Sequence, residues 1–345
     1  MNAGKLVQAL KGLHATRVLT IDSHTAGEPT RLIVGGIDPI PGHSMKEKRL
    51  YFMENYDRVR LQLTRETRGH RGMFAALLTE PVTPGASFGL IYMDTRRLPF
   101  LCGHATMGAV MTLVTAGAIP QTGDALPVIV DTPSGPMETT AYMQDGRVES
   151  VGVKMVPSFV YRDDEKIELS GLGVISVATV CVGGFFVMVS AREIDLAWTP
   201  ANRSRFIDLG MKLIEAANQQ LVVHHPTRPE VNTVDVVEFY DPAEEAAGYG
   251  QSIVIYGEGH MDRSPCGTGT AAKLTLLHHQ GRLGLHEPFV NTSPLGTKFQ
   301  GRLVEQTRLG STDAVVAEIR GSAYITGIHE FIMDRTDPFQ KGYLL

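Results

Sequence analysis

Cysteine is scarce in this chain: three residues among 345. An odd count in so long a chain excludes a disulfide framework as the source of stability and leads us to expect a reducing, cytoplasmic setting. Long apolar runs are also missing. No stretch approaches the roughly 20 residues that a membrane-spanning helix needs. The longest, Val174 to Val189, is interrupted by Ser176, Thr179, Gly183 and Gly184 and reads as buried strand. Met1 to Arg17 scatters Lys5, Lys11 and Arg17 without a compact apolar segment and a small-residue cleavage site, so no signal peptide is expected. Nor is there a surplus of positive charge. With 32 Lys and Arg against 37 Asp and Glu, the formal net charge of −5 leaves no basic footprint for nucleic acid.

What is present is apolar bulk, 43% of residues, enough for a large core divided between two lobes. Strand-like segments at Val18–Ile21 and Leu32–Val34 flank a glycine-containing break at His24–Pro29. Leu50, Met53, Tyr56 and Val59 predict a helix over Met45–Leu61. Antiparallel strands are expected at Val128–Val130, Met137–Tyr142 and Val148–Met155, with turns at Pro133-Ser134-Gly135 and Asp145-Gly146. The order then repeats weakly: a strand–glycine–strand unit around Gly183, a helix over Arg205–Gln219, and strands at Val234–Phe239 and Ser252–Tyr256. The chain becomes charged around Asp163–Lys166, where we place the boundary between lobes.

Each half carries the same short chemistry. Leu101-Cys102-Gly103-His104-Ala105-Thr106 and Pro265-Cys266-Gly267-Thr268-Gly269-Thr270 both read Cys-Gly-x-small-Thr, and an apolar, helix-compatible run follows each. A helix start lowers a cysteine pKa and offers unpaired N–H groups to a carboxylate. Glycine after the cysteine lets backbone approach a ligand. Two such units facing one another would hold an amino or imino acid with its α-carbon between two sulfurs, one removing a proton and the other returning one. Asp262, four residues before Cys266, would receive the substrate ammonium. A free cysteine by itself is more often a small buried hydrophobe, and Cys181, between Val180 and Val182, is read that way. His24, Glu28, Arg68 and His70 are as well explained by turns and salt bridges as by chemistry. Adjacent side chains diverge, so neither His224-His225 nor His278-His279 chelates a metal by itself, and no metal or cofactor is assigned. A cysteine hydrolase built on Cys102 and His104 is the competing enzyme class, although two residues apart at a helix start is poor geometry for such a pair. A non-catalytic amino-acid-binding module is the third.

Asp262-Arg263-Ser264-Pro265-Cys266-Gly267-Thr268-Gly269 and Cys102-Gly103-His104 resemble the paired signatures of the proline racemase family, which includes hydroxyproline 2-epimerases and trans-3-hydroxy-L-proline dehydratases. The resemblance extends to Asp22–Arg31, Arg68-Gly69-His70, Gly183-Gly184 and Ile325-Thr326-Gly327. It implies an α/β (α+β) fold of two pseudo-symmetric lobes, each a curved, mainly antiparallel sheet around a central helix, as in diaminopimelate-epimerase-like proteins. Residues 1–165, completed by about 325–345, would form the lobe carrying Cys102, and 166–324 the lobe carrying Cys266. The resemblance also implies Cys102 and Cys266 as the acid/base pair, with Gly103, His104, Asp262, Gly267 and Thr268 binding the substrate. Dehydratases of this kind resemble the pattern but typically have Thr at the position of Cys266, so the second thiol favours inversion. Val236 stands where many 4-hydroxyproline epimerases have a histidine. The expected activity is cofactor-independent inversion of proline or a hydroxyproline, with a hydroxyproline 2-epimerase as first choice and dehydration of trans-3-hydroxy-L-proline as the alternative. The expected partner is a small amino or imino acid, with no nucleic acid and no membrane, and a homodimer is the default assembly.

Overall fold

The computed structural model describes residues 3–11, 15–241 and 248–345. Parts of the N-terminal stretch read above, Met1, Asn2 and residues 12–14, lie outside the described residues. After a short helix α1 (Ala3–Leu10), strands β1 (Thr16–Thr25) and β2 (Glu28–Gly35) form a hairpin. Helix α2 (Met45–Thr64) leads to β3 (Ala75–Thr79), β4 (Phe88–Met93) and helix α3 (Gly103–Thr115). An antiparallel meander follows: β5 (Ala125–Thr132), β6 (Gly135–Gln144) and β7 (Arg147–Lys154). Its second turn places Asp145 and Gly146 at φ 50° and 72°, the positive-φ pair that a two-residue hairpin of matching twist requires.

The second half begins with β8 (Ser158–Leu169), β9 (Gly173–Val182), β10 (Gly184–Ser190) and a one-turn α4 (Ala191–Ile194). Helix α5 (Arg203–Gln220) precedes β11 (Val234–Tyr240), β12 (Tyr249–Tyr256) and the two-residue β13 (His260–Met261). Helix α6 (Gly267–His279) is followed by β14 (Phe289–Thr292), β15 (Lys298–Leu309), β16 (Thr312–Gly321) and β17 (Ala323–Met333). The strands join one hydrogen-bonded network, antiparallel except where β2–β3, β4–β5, β10–β11 and β12–β14 run parallel.

Two helices organise this network. α3 packs against β1, β2, β7 and β17, and α6 against β8, β9, β15 and β16. Every residue of α3 from Gly103 to Val114 is buried, and so is α6 from Gly267 to Leu277 apart from Thr268. Helices whose apolar residues are spread over every face have to be enclosed, and the sheets supply the enclosure. One hydrophobic core joins the two lobes through residues of both helices, with Cys102 and Cys266 in it, while smaller cores lie under α2 and α5.

The charged stretch Asp163–Lys166 falls inside β8, at a register shift against β9, so the chain passes that point without leaving the sheet. β17 returns to pair along β1, from Thr16 opposite Met333 to Thr25 opposite Ala323. On that pairing we propose about 325–345 as part of the lobe carrying Cys102 and, since β8 pairs with β9 and packs on α6, a boundary before Ser158 and not at 165/166, where it would cut a strand.

Gly321, at the end of β16, shows how closely α3 is held. A Cβ there would stand 2.4 Å from the buried Phe299 ring and 3.2 Å from Sδ of Met107 on α3. Gly321→Ala should therefore lower unfolding free energy by about 1–3 kcal/mol, the usual cost of overpacking a filled core, as read from the urea midpoint. An unchanged midpoint would mean that this contact yields easily.

Candidate active site

The duplicated motifs meet. Cys102 is the N-cap of α3 and Cys266 the N-cap of α6. A Cβ built on Gly103 would lie 3.7 Å from the Cα of Gly267, and one on Gly267 would lie 3.7 Å from the Cα of Gly103. The two helices thus start head to head, and glycine at both positions leaves their first peptide groups close together. Cys102 and Cys266 are 9% and 8% exposed.

Around Cys102 the groups are aromatic and polar. Its Sγ is 3.2 Å from Nδ1 of His104, whose ring packs edge-on to Phe74 at 4.9 Å and whose carbonyl accepts from the Thr25 hydroxyl at 2.8 Å. The pair expected to have poor geometry is therefore in contact, at an N-cap whose backbone is extended and whose side chain makes no cap hydrogen bond. Burial, however, pushes His104 down to about 4, the nearby charge of Glu28 only partly opposing it, so the ring is neutral at pH 7.

Cys266 is held differently. Its backbone has φ +61°, a conformation that costs a non-glycine residue about 1–3 kcal/mol. Ser264 spans the turn: its Oγ accepts from the Cys266 N–H at 3.1 Å and donates to Asp262 Oδ1 at 2.8 Å, which also accepts from the Ser264 N–H. The Cys266 sulfur accepts from the Gly269 N–H at 3.3 Å and lies 3.4 Å from the Thr268 hydroxyl.

Helix starts were expected to lower both thiol pKa values. Instead burial pushes both well up, and the negative charge of Asp262 adds to the rise. The N–H groups of Ala105 and His104, and of Gly269 with the Thr268 hydroxyl, pull the other way without prevailing. Desolvation outweighs the helix terminus here.

Two carboxylates share the site with opposite fates. Burial pushes Asp262 up to about 7, reinforced by the charge of Glu28 and opposed by His260 and Ser264. Burial also acts to raise Glu28, but His260, Arg263 and His104 together outweigh it and hold it at about 2. Glu28 bonds to the Arg263 side chain at 3.0 and 3.2 Å, to its backbone N–H at 2.9 Å and to His260 at 2.9 Å. Tyr256 stands among these groups; burial, then Glu28, Asp262 and both thiols, raise its hydroxyl well above the usual range. His260, Tyr256 and the bridging Ser264 escape a sequence reading. Ser264 could have been noticed between Asp262 and Cys266.

The remaining candidates lie elsewhere or serve structure. His24 accepts from the Gly27 N–H, His70 from the Gly72 N–H, and Arg68 donates to Ile332 O and Asp337. His225 bonds within its own loop, and His278 lies 2.8 Å from Leu283 O. Cys181 is fully buried in the core under α5. A hollow of about 390 Å³ is walled in part by Leu101 and Thr268, which neighbour the two cysteines in sequence, with Phe186 and Val236 beside the charged Arg97, Arg228 and Asp235. Hollows of about 470 and 560 Å³ lie away from either cysteine and carry no comparable chemistry.

This fold is that of an epimerase. A hydroxyproline epimerase from Agrobacterium vitis, solved with bound trans-4-hydroxy-L-proline, superposes with a TM-score of 0.88 at 29% identity, covering 96% of this chain and 95% of that one. The family model described as proline racemase matches residues 20–344. A proline racemase of Clostridioides difficile is 41% identical over 95% of this chain and 98% of its own length. A 4-hydroxyproline 2-epimerase of Streptosporangium roseum is 36% identical over 94% and 97%. The chain belongs to the proline racemase family, an enzyme family of racemases and epimerases with trans-3-hydroxy-L-proline dehydratases among the relatives. Among the described residues no helix is long and apolar enough to cross a membrane.

The raised Asp262 has a consequence for stability. Between its ordinary value of 3.8 and about 7 the folded protein keeps a proton that the unfolded chain releases. This contribution to stability therefore falls as pH rises through that window. Wild type should lose more unfolding free energy between pH 5 and pH 8 than Asp262→Asn, as measured by urea denaturation. Equal losses would show that Asp262 titrates normally.

Proposed function

We propose that this protein inverts the α-carbon of proline or a hydroxyproline by transferring protons between Cys102 and Cys266, without a cofactor. The observation that supports it most directly is the head-to-head start of α3 and α6, which brings two cysteines, each leading its own helix, to one junction. The substrate carboxylate is received by first-turn N–H groups of Gly103, His104, Gly267 and Thr268, which have no intrahelical acceptor. Asp262 and His104 hold the ring nitrogen.

One cysteine acts as thiolate and takes the α-proton, and the C–H electron pair moves toward the bound carboxylate. The other, as thiol, gives its proton to the opposite face. The site ends with the thiol and thiolate exchanged and its net charge unchanged. Burial makes an empty-site thiolate costly. A cationic substrate nitrogen beside Asp262 reduces that cost when it is needed. Charge growing on the carboxylate meets donors already oriented toward it, which is where such sites gain most.

The hollow beside the two motifs has a mixed wall: Leu101, Phe186 and Val236 are apolar, while Arg49, Arg97, Arg228, Glu230 and Asp235 carry charge. Apolar side chains tolerate a ring hydroxyl, whereas polar ones placed to bond it select for it. Both proline and trans-4-hydroxy-L-proline are therefore taken as substrates, in line with relatives named proline racemase and 4-hydroxyproline 2-epimerase. Dehydration of trans-3-hydroxy-L-proline is a second reading, favoured by the relatives of that name. It shares the first proton removal and then expels the 3-hydroxyl.

All three imino acids should be incubated in D2O. Inversion returns α-deuterated product of opposite configuration, whereas dehydration gives an imine. Cys102→Ser and Cys266→Ser should each lose inversion by about 10²–10⁴-fold, the usual worth of a positioned acid or base. Substantial inversion by either variant would end the two-thiol scheme. Ester hydrolysis that needs Cys102 but not Cys266 would transfer the protein to the hydrolase class.

A further inference from the structure

One buried charge near the thiols is not used by this chemistry. Glu28 is 0% exposed at the start of β2 in the first lobe, yet all four hydrogen-bond donors found around its carboxylate belong to the second. They come from His260 and from the side chain and backbone of Arg263. These residues flank Asp262, and Cys266 follows three residues after Arg263. A carboxylate out of water is stable only if its lone pairs are met, so this geometry is strongly selected.

A second element of the first lobe grips the same place. The loop after α2 offers the Gly72 carbonyl to Nη2 of Arg263 at 2.6 Å. A Cβ on Gly72 would lie 2.5 Å from that nitrogen and 2.5 Å from Cε1 of His260. The absence of a side chain at residue 72 makes room for the guanidinium. Near the same hairpin, Thr297 donates to the Ala26 carbonyl at 2.7 Å, a further bond between lobes.

We propose that Glu28 is a positioning residue: acting through Arg263 and His260, it holds the Asp262–Cys266 loop of the second lobe in register with Cys102 of the first. It touches no reacting atom. The turn it steadies contains Cys266 at positive φ, a backbone conformation that persists only when its surroundings fix it. The catalytic consequence rests on the two-thiol reading above, but the positioning itself does not.

The test uses the full chain and two variants, Glu28→Gln and Gly72→Ala. The first puts an amide N–H₂ among donors; the second removes no polar group and displaces the guanidinium by bulk alone. Iodoacetamide labelling is followed for each cysteine by peptide mass spectrometry, alongside kcat. Release of the loop should raise labelling of Cys266 at least tenfold, with Cys102 and the core residue Cys181 unchanged. It should also lower kcat by about 10²-fold, the effect of a reacting group displaced by about 1 Å. Unchanged Cys266 labelling, or an equal rise at all three cysteines as general loosening would give, overturns the proposal. Should Glu28→Gln not fold, Gly72→Ala read in the same way decides. Full inversion by Cys266→Ser would instead sink the two-thiol reading and leave the labelling result standing.

Discussion

The structure depends on a contact with almost no atoms in it: the approach of two helix starts at Gly103 and Gly267. A helix N-terminus carries unmet N–H groups and partial positive charge, so two of them pointed at one spot repel and need a shared anion or acceptor. Nothing forces such an arrangement except the burial of the helices behind it. Both α3 and α6 are buried on all sides, each is wrapped by its own sheets, and the wrapped units share one core. The hydrophobic effect thus brings together what electrostatics alone would separate. An acceptor such as the substrate carboxylate proposed above would meet those N–H groups.

Burial sets the remaining electrostatics. Two carboxylates in one cluster end far apart, Glu28 at about 2 and Asp262 at about 7. The same desolvation acts on both, so the difference lies in the partners. Glu28 receives a guanidinium in two bonds, a backbone N–H and an imidazole, while Asp262 receives the serine O–H and N–H and faces the charge of Glu28. A group fixed as an anion by such pairing suits a structural role. One poised near neutrality suits a site that must take up and release a charged ligand.

Much of this was legible in the sequence because it depends on local pattern. The apolar runs after Cys102 and Cys266 can be read as enclosed helices, and Asp145-Gly146 can be read as a tight hairpin, since the side chains themselves impose those conformations. The repetition of Cys-Gly marks two like helix starts before any coordinates, and those starts meet. What could not be read depends on distant segments. Glu28 and Arg263 are far apart in the chain, and neither signals the other. His260 and Tyr256 look like ordinary strand-end residues until β13 turns them toward the junction. The thiol pKa values run against the simple rule because a helix terminus is visible in sequence whereas depth of burial is not.

Duplication has also not produced identical halves. Behind Cys102, the helix is tied by Thr106, whose hydroxyl donates to the Cys102 carbonyl and meets the Tyr92 hydroxyl at 2.6 Å. Behind Cys266 lies a buried ion pair, Glu238 with Lys273 at 3.6 Å, and Asn291, which donates to the Pro265 carbonyl and to Thr270. Breaking such a pair is costly even when forming it gains little, so it fixes one arrangement of α6 more than it stabilises the fold. That rigidity lies beneath the cysteine whose backbone is in the less favourable conformation. Buried carboxylates add to the rise at both thiols, Asp262 and Glu238 at Cys266 and Asp262 and Glu28 at Cys102, but only Cys102 has an imidazole at its side. On the two-thiol scheme proposed above, sulfurs that exchange roles in each direction therefore start from different surroundings, one beside an imidazole and the other at the head of a helix braced by a buried ion pair.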